Sequence, residues 1–127
     1  MKRVIALAGS LLLALTISSC GAATGPVGTW GNGYSKDKQP YLELSLGAVQ
    51  NGDQAGYLTG SDGCNRLAGQ WMYAGGELTF PQLGGTTLAC DGISTWLSKA
   101  KGGTIDGNKL TITDANGATL GTLDRRN

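Results

Sequence analysis

No histidine occurs anywhere in the 127 residues, and that one absence removes several chemistries. Ser-His-Asp and Cys-His catalysis both need an imidazole to carry the proton. A zinc site wants four nitrogen or sulfur ligands, or three with an open position, and the two cysteines left once Cys20 is acylated, without histidine, do not supply them. Charge is also sparse, at 15% of residues, and no basic patch or stripe stands out, so nucleic acid is not an expected partner. The acidic residues are scattered, and no motif supports Ser-Lys chemistry. The expectation is therefore a chain with no catalytic residues, no metal and no cofactor.

The N-terminus carries the clearest address. Lys2 and Arg3 precede the apolar run "VIALAGSLLLALTIS", which is too short and wrongly flanked for a permanent span and reads as a secretory signal over residues 1–19. It ends in "ISSC", similar to the bacterial lipobox, with Cys20 as the thiol that takes the lipid. Residues 20–27 then read as a lipidated cysteine and flexible tether, and residues 28–127 as one domain. Without Lys2 and Arg3 the ten basic side chains fall to eight against nine acidic ones, a net charge of about −1. Acyl chains, at about 0.8 kcal/mol per buried methylene, rather than basic residues, would hold such a protein at a membrane. The expected location is the bacterial cell envelope. In a Gram-negative host, Gly21 after the cysteine favours the outer membrane, facing the periplasm.

With Cys20 acylated, Cys64 and Cys90 remain, in a compartment where disulfides persist. A reactive thiol lacks its histidine, and a redox pair more often shows the C-x-x-C spacing. A structural bridge is the expectation, closing 27 residues counted inclusively and contributing roughly 3.5 kcal/mol. Around it, Gly60, Gly63 and Asn65 mark a tight turn feeding a strand. Asp62 is a weak calcium candidate, but no D-x-D-x-D-G pattern surrounds it.

The rest of the chain has a period of two. Tyr41–Leu46 alternates, with Leu42, Leu44 and Leu46 on one face. Strands follow at residues 56–60, at 66–73 with Leu67, Trp71 and Tyr73 together, and at 77–80 with Leu78 and Phe80 inward and Pro81 closing it. Gly75–Gly76, Asp106–Gly107 and Asn116–Gly117 mark turns. Arg125 and Arg126 end the last strand and read as exposed edge charges that discourage sheet-to-sheet pairing. One stretch departs from this period. Ile93, Trp96, Leu97 and Ala100 are spaced as a helical face, predicting a helix of about ten residues capped by Asp91 and stopped at Gly102 or Gly103.

These residues carry a family resemblance. "GCNRLAGQW" resembles the G-C-N-x-x-x-G-x-aromatic motif of the META domain, the family of the heat-inducible HslJ-like lipoproteins, through Gly63, Cys64, Asn65, Gly69 and Trp71. "TTLAC" is similar to its T-x-x-A-C, through Thr86, Ala89 and Cys90, although Thr87 stands where the family often has arginine. The resemblance implies a mostly β fold, a small antiparallel, partly open β-barrel with one short helix packed against it. It also implies a Cys64–Cys90 disulfide and a role loosely tied to envelope stress.

Three functions follow as expectations. The first is a non-enzymatic, stress-related accessory or binding module whose partner is an unidentified envelope protein. The second is a pilotin-like carrier of a lipid, peptide or other small apolar ligand, with Trp30, Trp71 and Trp96 as candidate lining; core filling is the commoner use of such residues. The third is a hydrolase inhibitor, with "GNGYSKDKQP" and "QNGDQAG" as its loops and Tyr34 as the only distinctive anchor.

Overall fold

The structure is a computed structural model that describes residues 25–31 and 39–126. The signal segment, Cys20 and the loop with Tyr34, Lys36, Asp37 and Lys38 lie outside the described residues. Eight strands follow in chain order: β1 (Gly28–Gly31), β2 (Tyr41–Gln50), β3 (Asp53–Ser61), β4 (Arg66–Ala74), β5 (Glu77–Gly85), β6 (Gly102–Asp106), β7 (Lys109–Thr113) and β8 (Thr119–Arg126). Each pairs antiparallel with its neighbour in sequence, and β8 pairs back onto β1 through Thr29–Arg126 and Trp30–Arg125. The barrel is thus closed rather than partly open, although β1 covers β2 only as far as Leu44.

The period of two does place the core. Leu42, Leu44, Leu58, Leu67, Trp71, Leu78, Phe80, Leu110, Ile112 and Leu123 all point inward and are buried. Trp30 and Trp71 are fully buried among them, so the barrel interior is filled by side chains, as in other small barrels. The Trp71 indole N–H donates to the Ser45 and Tyr57 carbonyls at 3.2 and 3.0 Å, which gives this buried polar atom the partner it needs.

Four expectations need correction. Leu46 is half exposed, because β1 covers β2 only as far as the Gly28–Leu44 pair and a bulge follows between Leu46 and Ala48. Pro81 does not end its strand. It lies inside β5 where the register slips, so that Trp71 faces both Phe80 and Pro81. A bulge is one of the few strand sites where a missing N–H is tolerated.

The predicted helix is a single 3₁₀ turn, Trp96–Lys99. A helix this short nucleates poorly, and Gly102 and Gly103 do not stop it but belong to β6, paired with Thr79 and Leu78. The intended inner face survives, since Leu97 and Ala100 are buried and Trp96 packs on the core. Trp96 lies flat over Gly121, where a Cβ would come within 2.8 Å of the ring. Finally, Arg125 is not an exposed edge charge. Its guanidinium sits 4.2 Å from the centroid of Trp30 and donates to the Gly25, Gly107 and Val27 carbonyls at 2.9, 3.3 and 3.4 Å. Partial burial pushes it below the ordinary arginine value, and the ring and carbonyls offset that desolvation.

The turns divide the barrel into two ends. At one end lie three two-residue hairpins, Asn51–Gly52, Gly75–Gly76 and Gly107–Asn108, together with Gly25 where the described chain begins. Asn51 and Gly52 both have positive φ, 54° and 90°, as hairpins that follow strand twist require. "QNGDQAG" is therefore not a loop but the tip of β2–β3. At the other end lie the Asp62–Asn65 turn, the long segment 86–101 and the β7–β8 connection. There Asp114 Oδ1 accepts the Asn116 and Ala118 N–H groups at 2.8 and 3.0 Å.

Candidate functional site

The end opposite Gly25 gathers the motif residues. After β3 the chain turns sharply, and Asp62, though fully buried, has its carboxylate committed to that turn. Oδ1 accepts the backbone N–H of Cys64 at 2.9 Å and that of Asn65, while Oδ2 accepts the Asn65 side-chain amide at 3.4 Å. The Gly63 N–H donates to Ser61 Oγ at 3.0 Å. The carboxylate that suggested a weak cation ligand is thus turned inward onto backbone donors. Among the described residues no group of three or more His, Cys, Asp or Glu side chains could hold a metal.

Asn65 then reaches across to the second motif. Its Oδ1 accepts the Leu88 N–H and the Thr86 hydroxyl (3.1 Å), and its Nδ2 donates to the Leu88 carbonyl at 3.4 Å. An asparagine amide carries one acceptor and one donor, as a peptide unit does, so Asn65 pairs with Leu88 much as a strand neighbour would. Thr86 completes the brace. Its backbone N–H donates to the Arg66 carbonyl at 3.2 Å, and its hydroxyl accepts the Arg66 N–H at 3.1 Å. Two residues on, the Cys64–Cys90 disulfide joins the same segments, with Cα atoms 5.9 Å apart.

The brace holds residues 86–90 as a rim over the barrel end. Between the rim, the end of β5 and Ser98 of the 3₁₀ turn lies an open cleft of about 410 Å³. Asn65, Thr86, Thr87, Leu88 and Ala89 line one side of it and Leu67 and Leu83 the floor. Leu88 projects from the rim, 62% exposed. Gly69 lies below, its Cα so close to β5 that a Cβ would stand 1.9 Å from the Gln82 carbonyl oxygen. The motif's second glycine is therefore a packing requirement.

The META domain profile matches residues 27–127 of this sequence. The chain belongs to the META-domain family. No curated protein and no solved structure matches it. In this META domain the two motif cysteines, separated in sequence by the whole of β4 and β5, meet at one end of the barrel. Trp30 and Trp71 lie in the filled core, and Trp96 covers β8, so none of the three lines the cleft. Sequence reasoning missed the roles of Asp62 and Leu88. The buried aspartate two residues before a cysteine, in "SDGCN", was the available signal, since Asp accepts from the backbone two residues on.

Proposed function

We propose that this META-domain protein is a lipid-anchored protein of the bacterial envelope, in which the barrel serves as a non-enzymatic, stress-related accessory or binding module. The observation that supports this most directly is the use of the motif residues. The motif residues Asn65 and Thr86, with Asp62 before them, commit their polar atoms to neighbouring backbone and to one another. Groups held this way shape a surface and are not available to attack a substrate. The surface they shape is the rim with Leu88 and the cleft beneath it, a feature suited to a protein partner in the envelope. A lumen carrier draws less support, since Trp30 and Trp71 occupy the interior. An inserting inhibitor loop draws less as well, since the β2–β3 tip is a two-residue turn.

No helix among the described residues is long and apolar enough to cross a membrane, and the reading assigns attachment to acylation of Cys20. Intact mass of the full chain expressed in a bacterial envelope tests this. The expected product begins at Cys20 and carries a diacyl or triacyl adduct, whereas Cys20→Ser gives none; an unmodified Cys20 refutes the anchor. The functional half is tested by deleting the gene and challenging cells with heat and envelope-active antibiotics. Reduced survival, restored by the wild-type chain but not by a variant with the rim altered at Thr87 and Leu88, supports a binding module. Restoration by the rim variant as well as the wild-type chain would refute a role for the rim.

A further inference from the structure

The hairpin end leaves a group of aliphatic side chains exposed. β1 gives β2 no partner beyond Leu44, so the inner face of the projecting β2–β3 hairpin is uncovered. Leu46 and Val49 lie on it, 50% and 59% exposed, and Val27, next to the start of β1, is 42% exposed. Opposite Val49 stands Gln54, whose side-chain amide lies 3.9 Å from the position a Cβ on Gly25 would take. The chain arriving from Cys20 therefore reaches the barrel beside these aliphatic side chains, where Arg125 holds the Gly25 carbonyl at 2.9 Å.

We infer that Val27, Leu46 and Val49 form a bilayer-contact patch. It seats the hairpin end in the lipid headgroup layer and turns the Cys64–Cys90 rim away from the membrane. The inference rests on the reading of Cys20 as the acylated residue. From Cys20 to Gly25 the chain can span at most about 18 Å, at about 3.6 Å per residue. A strand of nine residues such as β4 rises about 30 Å along its own axis and, tilted in a barrel, spans about 22–25 Å of height. The tether is therefore too short to run the height of the barrel and bring the rim to the bilayer. It permits only the hairpin end or a flank, and the aliphatic patch selects the end.

Charge fixes the character of the contact. Asp53, Glu77, Asp106 and Asp124 share this end with Lys109, Arg125 and Arg126. Cations do not outnumber anions, so attraction to anionic lipid does not drive the contact. The acidic hairpin feet also keep it shallow, in the headgroup layer and not the hydrocarbon. The patch adds orientation to an anchor that already supplies affinity.

The test uses the full chain, extracted as the processed lipoprotein, with its acyl group checked by intact mass. It is reconstituted in phosphatidylethanolamine–phosphatidylglycerol vesicles. Val49→Cys and Ala115→Cys, at opposite ends, each receive a nitrobenzoxadiazole fluorophore. The Val49 probe is expected to shift to the blue and lose intensity to a spin-labelled lipid, while the Ala115 probe keeps its aqueous emission. Replacing phosphatidylglycerol with phosphatidylcholine, or adding salt, should leave the shift unchanged. Aqueous emission at both sites in acylated protein overturns the orientation while the anchor stands. A blue shift at Ala115 alone reverses it, and a shift that salt removes overturns the apolar contact. Absence of the acyl mass sinks the anchor and the inference together. Hydrogen exchange of the unlabelled lipoprotein supplies a label-free check: membrane protection expected in residues 45–54 and not in 114–118, and the opposite pattern overturning the inference.

Discussion

The two ends of this barrel solve the same problem by different means. Every strand pair must be joined, and the backbone polar groups in each joint must find partners. At the hairpin end three two-residue turns do this locally, and the ladder continues to the last pair before each turn. At the rim the joints are long and irregular, so side chains take over the work of the ladder. Asp62 satisfies two N–H groups of its own turn, Asn65 pairs with Leu88, and a disulfide closes the assembly. A regular turn is stable through its residue types alone, whereas an irregular one needs long-range ties. The rim is accordingly tied to β4 by a covalent bond and side-chain bonds where a regular turn is lacking.

The largest effect on that contrast should come from removing the covalent tie. Cys64→Ser with Cys90→Ser frees a loop with a sequence separation of 26, and the expected loss is about 3.5 kcal/mol in urea unfolding. Hydrogen exchange should rise mainly in residues 86–101, with the hairpin end little changed. A uniform rise over the whole barrel would mean that the rim is not a separate stability unit. Next comes Asn65→Ala, which strands the Leu88 N–H and removes a partner from Thr86 and Asp62. Leaving a buried group unpaired costs about 1–3 kcal/mol, and less where water reaches the part-buried Leu88 and Thr86, so a loss of about 2–3 kcal/mol over all the bonds is expected with the disulfide intact. Asn65→Asp offers a sharper comparison at nearly constant shape. It cannot donate to the Leu88 carbonyl and sets a second carboxyl against Asp62, so it should be no more stable than the alanine variant. Full stability in Asn65→Asp would show that the Nδ2 donation to the Leu88 carbonyl contributes little, since a carboxylate still accepts the Leu88 N–H.

At the other end the comparable tie is Arg125 on Trp30. Arg125→Met keeps the apolar stem over the ring but removes the charge and the bonds to Gly25, Val27 and Gly107. A loss of about 1–2 kcal/mol is expected, smaller than at the rim because the desolvation of the guanidinium is recovered. The matching structural readout is faster exchange around residues 25–30 without change at 86–90. Loss at the rim instead would show that the two ends are coupled through the barrel wall.

The sequence made the barrel wall legible because alternation reports burial wherever neighbouring strands cover both sides. Leu67, Trp71, Leu78 and Phe80 are inward for that reason. The same rule failed at Leu46, where coverage depends on how far a different strand extends. It also failed over residues 91–103, where helical spacing was outweighed by the pairing of Gly102 and Gly103 with β5. Local pattern carries no information about a partner supplied by a distant segment. The motif end shows the same division. Its disulfide could be inferred from compartment and cysteine count, but the pairing of Asn65 with Leu88 could not, because it bridges residues with a separation of 23. Arg125 likewise reads as an edge charge from local pattern alone, since closure of the barrel onto β1 is a property of all eight strands together.

The smallest expected effect belongs to the one ion pair between side chains found among the described residues. Lys109 Nζ lies 3.3 Å from Asp124 Oδ1 on neighbouring strands at the hairpin end, with both side chains more than half exposed. Water screens such a pair, and ordering two mobile side chains offsets most of its attraction. Lys109→Ala should therefore change stability by less than about 0.5 kcal/mol, and the difference should vanish in 0.5 M salt, where the Debye length falls to about 4 Å. Thermal unfolding of the two proteins at low and high salt measures it directly. A larger loss that persisted in salt would place Lys109 among the structural ties. The hairpin end would then depend on side-chain bonds as the rim does, and the contrast between the two ends would be one of degree.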